Sequence, residues 1–202
     1  MAGGRKLEFD KQQALDAAMQ IFWEKGYAGA SLSDLTQGMG INKPSMYATF
    51  GNKEALFMQA IEHYVENYAK LHEQYLTAPN TSLKRRLKNY LMSVIVGQCE
   101  EEKPKGCYIS LCVSEAASES MPDKALQLIN KVGNFALILL TEFFEQDGEA
   151  RKLNLGTSAE QKALFIVSML HGTAAMARAG KTVGELESVV DAVITGLGLG
   201  EI

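Results

Sequence analysis

Residues 31–57, SLSDLTQGMGINKPSMYATFGNKEALF, leave the chain few ways to fold. Ser31 offers a hydroxyl to the free N–H groups of a following helix, and Asp34 answers it three residues on, which is the pattern of a capping box. Leu32, Leu35 and Met39 then share one helical face. Gly38 and Gly40 are expected to take the positive φ angles that break the helix within a few residues, and Ile41 to fill the angle between the two helices. A second helix is expected from Asn42, an N-cap residue. Pro44 suits its first turn, because proline there gives up only an N–H that has no partner. Gly51 ends this short helix, and Asn52 opens a third. A helix, a tight turn and a short helix form a helix-turn-helix, which points to DNA as the partner.

The two faces of the second helix differ in chemistry. Met46 and Phe50, four residues apart, turn into a small core. Lys43, Pro44 and Ser45 stand at the helix N-terminus, where a recognition helix touches base edges. Ser31, Ser33, Tyr47, Thr49 and Lys53 are placed to hold phosphates. Lys53 falls in the first turn of the third helix, where positive charge is unfavourable unless an anion faces it.

The run Gly-Ile-Asn-Lys-Pro-Ser-Met-Tyr-Ala-Thr-Phe-Gly-Asn-Lys-Glu-Ala-Leu, residues 40–56, closely resembles the DNA-binding signature of TetR-family transcriptional regulators. The spacing of Tyr47, Phe50, Lys53, Glu54, Ala55 and Leu56 is its most specific part, and the resemblance extends from about Asp10 to Tyr68. It implies an all-α protein. Residues 1–56 would form a three-helix DNA-binding domain, and residues 57–202 a helical domain for ligand binding and dimerisation. It further implies a homodimeric repressor of a palindromic operator on double-stranded DNA, relieved by a small organic effector.

With 202 residues and 47% hydrophobic content, the chain can bury the cores such an arrangement requires. MAGGRKLEFD has no apolar signal segment, and FALILL at 135–140 is too short to span a bilayer, so the cytoplasm is the expected compartment with no membrane partner. Three cysteines with no metal-ligand spacing fit a reducing environment and no disulfide framework. The net charge of −4 does not favour nucleic acid. Residues 1–57 hold six basic and six acidic side chains, so the excess lies in the remainder. Arg5 and Lys6, in an expected N-terminal arm, add positive charge near Lys43 and Lys53.

Elsewhere the hydrophobic period marks helices. Asp10 caps the first, which ends at Gly26-Tyr27. A long helix is expected from Asn52 to about Leu76, with Phe57, Ala60, Ile61, Tyr64, Tyr68, Leu71 and Tyr75 on one stripe and His63 and His72 on its solvated side. Another carries Leu83, Leu87, Tyr90, Leu91, Val94 and Ile95. Ser120 and Pro122 open a helix whose face is Ile129, Val132, Ala136, Leu139 and Phe143. Two further helices have expected caps at Thr157 with Glu160 and at Thr182 with Glu185. Small residues on the first of these, Gly172, Ala174, Ala175 and Ala179, and the apolar stripe of the second suggest a four-helix bundle between two copies.

No catalytic constellation, metal-ligand set or cofactor motif is present in the sequence. H-E-x-x-H and G-x-S-x-G are missing, and GLGLG at 196–200 follows a helix, so no enzymatic activity is expected. A ligand pocket among the central helices is expected to use Tyr90, Val94, Cys107, Tyr108, Leu111, Phe135, Leu139 and His171. Cys107 follows Lys103, Lys105 and Gly106 at an expected helix start, a setting that favours a thiolate. Gly-Cys here also looks like a TetR subset some of whose members sense reactive compounds, which makes a redox or electrophile sensor one alternative and core filling by all three cysteines another. A third is a helical small-molecule-binding protein that no longer reads DNA.

Overall fold

The computed structural model describes residues 9–200, which are helical apart from turns and loops. The expected arm with Arg5 and Lys6 lies outside the described residues. Helix α1 (Lys11–Gly29) starts where Asp10 accepts the N–H groups of Gln12 and Gln13, at 2.8 and 3.2 Å. Its regular part breaks at Gly26, whose φ of 72° lies in the left-handed region. Ser31 and Asp34 form the full reciprocal capping box on α2 (Leu32–Gly38). Asn42 caps α3 (Lys43–Phe50), and Asn52 caps α4 (Lys53–Tyr64).

The helix expected from Asn52 to Leu76 is not regular throughout. After α4 the backbone widens into a π turn, Val65–Ala69, and then tightens into a 3-10 turn, Lys70–Tyr75. Each change of period rotates the side chains that follow. Phe57, Ala60, Ile61 and Tyr64 are therefore buried as the stripe requires, whereas Leu71 and Tyr75 turn out to solvent. The histidines also depart from expectation. His63 is half-buried with Nε2 3.2 Å from Asp16, and His72 is half-buried with Nδ1 2.9 Å from Ser93 Oγ.

The remaining helices are α5 (Leu83–Gln98), α6 (Tyr108–Glu115), α7 (Asp123–Gly133), α8 (Phe135–Gln146), the short α9 (Gly148–Lys152), α10 (Ala159–Arg178) and α11 (Val183–Ile194). The single helix expected after Pro122 is thus two. Gly133 is a weak helix former, and the Asn134 side chain bonds back to the Asn130 carbonyl at 2.9 Å, which ends α7 there. Thr157 does not cap α10. Ser158 takes the N-cap position with φ 58°, and no side-chain bond closes it. Thr182 and Glu185 do form their capping box on α11.

Two buried clusters result. One joins α1–α4 to α6 and α7, with Phe22, Phe57, Leu56, Met46 and Leu35 packed beside Tyr108, Cys112 and Ile129. The other lies among α5, α8, α10 and α11. The first cluster runs across the boundary expected at residue 56. Its centre is aromatic: Phe57 meets Phe22 edge-on at 5.1 Å and Tyr27 at 4.8 Å, and Tyr64 meets Trp23 at 5.1 Å and Tyr108 at 5.6 Å. Phe57 is fully buried at this crossing. Phe57→Ala is expected to lower unfolding free energy by about 3–5 kcal/mol, read as a lower urea midpoint at fixed protein concentration.

Candidate functional site

The helix-turn-helix presents α3 with its N-terminus free. Asn42 accepts the Ser45 N–H at 2.9 Å, fixing the angle at which α3 leaves the turn. Met46 and Phe50 are buried beneath it. Lys43, Pro44 and Tyr47 are exposed, and Ser45 and Thr49 are half-exposed. Ser33 is exposed beside them on α2. The residues of α2 and α3 expected to read bases or hold phosphates are thus at least partly exposed around the start of α3.

Two of the residues expected to hold phosphates, Ser31 and Lys53, are already engaged within the chain. The Ser31 hydroxyl donates to Asp34 at 2.6 Å while accepting the Asp34 N–H at 3.0 Å. Lys25 bonds the same carboxylate at 2.8 Å, and Lys25 and Ser31 together hold the Asp34 carboxyl well below the usual range. Lys53 does not extend into solvent. Its ammonium lies 4.6 Å from the centroid of the Tyr27 ring, and burial lowers its pKa.

The end of α1 is clasped from two sides. Glu115, the last residue of α6, accepts the Tyr27 N–H at 3.0 Å. A Cβ on Gly26 would lie 1.8 Å from a Glu115 carboxylate oxygen, so only glycine admits this approach. From α10, Arg178 donates to the Trp23 carbonyl at 2.8 Å.

Behind the clasp is a cavity of about 240 Å³. Of the residues expected to line it, Tyr90, Val94, Cys107, Phe135 and His171 do so. Tyr108, Leu111 and Leu139 do not. Tyr108 is completely buried in the aromatic cluster, Leu111 is half-buried off the wall, and Leu139 packs against the α5–α8–α10–α11 core. The reason for all three is rotation about their helices. Cys107 is the N-cap residue of α6, and its sulfur accepts the Tyr64 hydroxyl at 3.4 Å.

Trp23, Tyr64, His72 and Gln98 also form the wall and were not expected there. Trp23 follows Phe22 on α1 and so points about 100° away from it, toward a space created only when α6 and α10 close over α1. That approach leaves no local trace in the sequence. Burial lowers the pKa of both His72 and His171, so both rings favour the neutral form. The charged wall residues Glu100 and Lys103 pair with each other at 2.9 Å.

Residues 14–60 match the family of bacterial regulatory proteins named tetR. The chain is 36% identical over 106 residues to the HTH-type transcriptional repressor ComR of Escherichia coli K12, covering 52% of this chain and 50% of ComR. It is 42% identical over 62 residues to the repressor BdcR of the same organism, covering 31% of this chain and 32% of BdcR. The matched region thus spans about half or less of these curated relatives. Among solved structures, a cysteine-substituted form of the TetR family transcriptional regulator CifR, complexed with 26-bp double-strand operator DNA, is 28% identical. It covers 95% of this chain and 98% of its own, with a TM-score of 0.87. Reduced NemR of Escherichia coli shares the fold at 18% identity and a TM-score of 0.76, covering 91% of this chain and 94% of its own. The helix-turn-helix and these relatives agree that residues 14–60 form a DNA-binding domain of the tetR family of bacterial regulatory proteins, and the described chain shares its all-helical fold with TetR family regulators.

Proposed function

We propose that the protein is a homodimeric transcriptional repressor, acting in the cytoplasm, that binds a palindromic operator and releases it when a small organic molecule fills the central cavity. The observation that carries this reading is the exposed N-terminal face of α3, held at a fixed angle by Asn42 over the buried Met46 and Phe50. Lys43, Pro44 and Ser45 touch bases. Ser33, Tyr47 and Thr49 hold phosphates, and Ser31 does so through the backbone its capping box fixes. Lys53 reaches a phosphate by leaving the Tyr27 ring. CifR's operator complex at 28% identity supports DNA as the partner.

A single copy offers little positive charge, so affinity depends on two copies at a set spacing. The exposed face of α10 supports the dimer. Leu164, Phe165 and Met176 are about half exposed there, with Ser168, Gly172 and Ala175 between them, and Val189 of α11 lies open as well. Apolar and small residues in one stripe on two neighbouring helices suit a four-helix bundle with a symmetry mate. Release follows if the effector favours a state in which the end of α1 and the start of α4 shift, because the ligand then binds that state more tightly.

Cys107 on the cavity wall, at the start of α6, favours a second reading in which an electrophile or oxidant entering the cavity modifies the thiol. Mass spectrometry after mild peroxide or an electrophile tests it. An unmodified Cys107 with DNA binding intact rules it out.

Binding to selected operator DNA, followed by fluorescence anisotropy at two salt concentrations, tests the main reading. Affinity is expected to fall steeply with salt, with a log–log slope near −0.9 for each phosphate neutralised. Tyr47→Ala and Lys53→Ala are expected to weaken binding about tenfold on every sequence, whereas Ser45→Ala changes which bases are preferred. Phe165→Glu should give a monomer by analytical ultracentrifugation and abolish operator binding while leaving the helical circular dichroism intact.

A further inference from the structure

The cavity wall holds several polar groups that the protein itself does not answer. Trp23 is 2% exposed and Gln98 3% exposed, and both line the cavity. The Trp23 indole Nε1 and the Gln98 Oε1 have no hydrogen-bond partner among the described residues, although the other end of the Gln98 amide donates to the Leu170 carbonyl at 3.0 Å. Unpaired buried groups of this kind are uncommon in a folded chain and ask for a cause.

The tautomer of His72 adds a third. Ser93 Oγ gives its proton to the Tyr90 carbonyl at 2.7 Å, so it must accept from His72 Nδ1 at 2.9 Å. The proton of the neutral ring therefore sits on Nδ1, and Nε2 remains a bare acceptor on the wall. Tyr90, 4% exposed, presents a hydroxyl that makes no bond within the described residues. The wall thus offers the Trp23 donor, the Gln98 and His72 acceptors, and three groups that can do both, the Tyr90 and Ser110 hydroxyls and the neutral His171 ring. Most of the rest is apolar or aromatic, and its one acid and one lysine neutralise each other.

We infer that the cavity takes an uncharged molecule with a flat apolar body and a polar end that both donates and accepts hydrogen bonds, as a carboxamide does. This rests on reading the cavity as the effector site. A cation or anion would be desolvated with no counter-charge to meet it. A hydrocarbon would leave the polar groups as they are. An amide-like end pairs them, its carbonyl toward Trp23 Nε1 and its N–H toward Gln98 Oε1 or His72 Nε2. Because Trp23 Nε1 and Gln98 Oε1 are shut off from solvent, the occupant must part the wall to reach them. Trp23 belongs to α1, so that movement falls directly on the helix that packs under the DNA-reading unit.

Four probes of one shape separate the possibilities: 2-naphthamide, 2-naphthoate, 2-naphthamidinium and 2-methylnaphthalene. Binding is read by calorimetry and by emission from Trp23, the only tryptophan. 2-Naphthamide is expected to bind at least about tenfold more tightly than each of the other three and to shift the Trp23 emission. Gln98→Met should remove most of that preference, read as the ratio of 2-naphthamide to 2-methylnaphthalene affinity. Since Gln98 also holds the Leu170 carbonyl, Tyr90→Phe is measured beside it and should reduce the preference as well. Equal or tighter binding of a charged or purely apolar probe, or a preference that survives both substitutions, overturns the ligand class while the cavity stands as a binding site. Failure of all four to bind overturns the class and the cavity reading together.

Discussion

One carboxylate holds the two halves of this molecule in register. Glu115 ends α6, accepts the Tyr27 N–H and lies where any side chain on residue 26 would be. The chain can turn there because Gly26 adopts a positive φ, which costs glycine little and other residues more. A side-chain acceptor for one backbone N–H is modest in energy, about 1 kcal/mol in a typical case and more when the acceptor is charged. Its importance is positional. It fixes the turn that leads into α2 and α3 against a helix whose opposite end, Cys107, lies on the cavity wall.

The aromatic cluster makes this connection stiff. Phe22, Tyr27 and Phe57 form its lower part beneath the helix-turn-helix, and Trp23, Tyr64 and Tyr108 its upper part beside the cavity. Phe57 and Tyr108 touch edge-on at 6.2 Å and join them. Large rings packed at such angles leave few alternative arrangements, so a shift at Trp23 is passed on rather than absorbed. The irregular stretch after Tyr64, π then 3-10, is the opposite kind of element. It has no buried residues of its own, and it separates α4 from α5 with a segment able to change pitch.

Much of this was legible in the sequence, and what was not has a common cause. Caps and turns are local, so Ser31, Asn42, Asn52 and Thr182 could be read directly, as could the glycines at 26, 40 and 51. Phase errors account for most of the differences: once the helix after Tyr64 changed period, Leu71 and Tyr75 no longer followed the stripe. Asn134, a residue with no fixed helix-stopping meaning, split another helix. The cavity was only half readable, because its wall is made by residues brought together from α1, α4, the irregular stretch after it, α5, α6, α7, α8 and α10. Tyr108 looked like a wall residue by composition, yet it faces the opposite side of α6. Trp23 and Gln98, whose unanswered polar atoms on the wall are shut off from solvent, carry no sequence signal beyond their type.

The Glu115 clasp joins α6 to the turn before α2, and amide hydrogen exchange measures it directly. In Glu115→Ala, with α6 intact by circular dichroism, protection of the Tyr27 N–H and of the α2 and α3 amides is expected to drop by about tenfold or more relative to wild type. Unchanged protection of those amides in the variant would mean that α6 does not hold the helix-turn-helix in place.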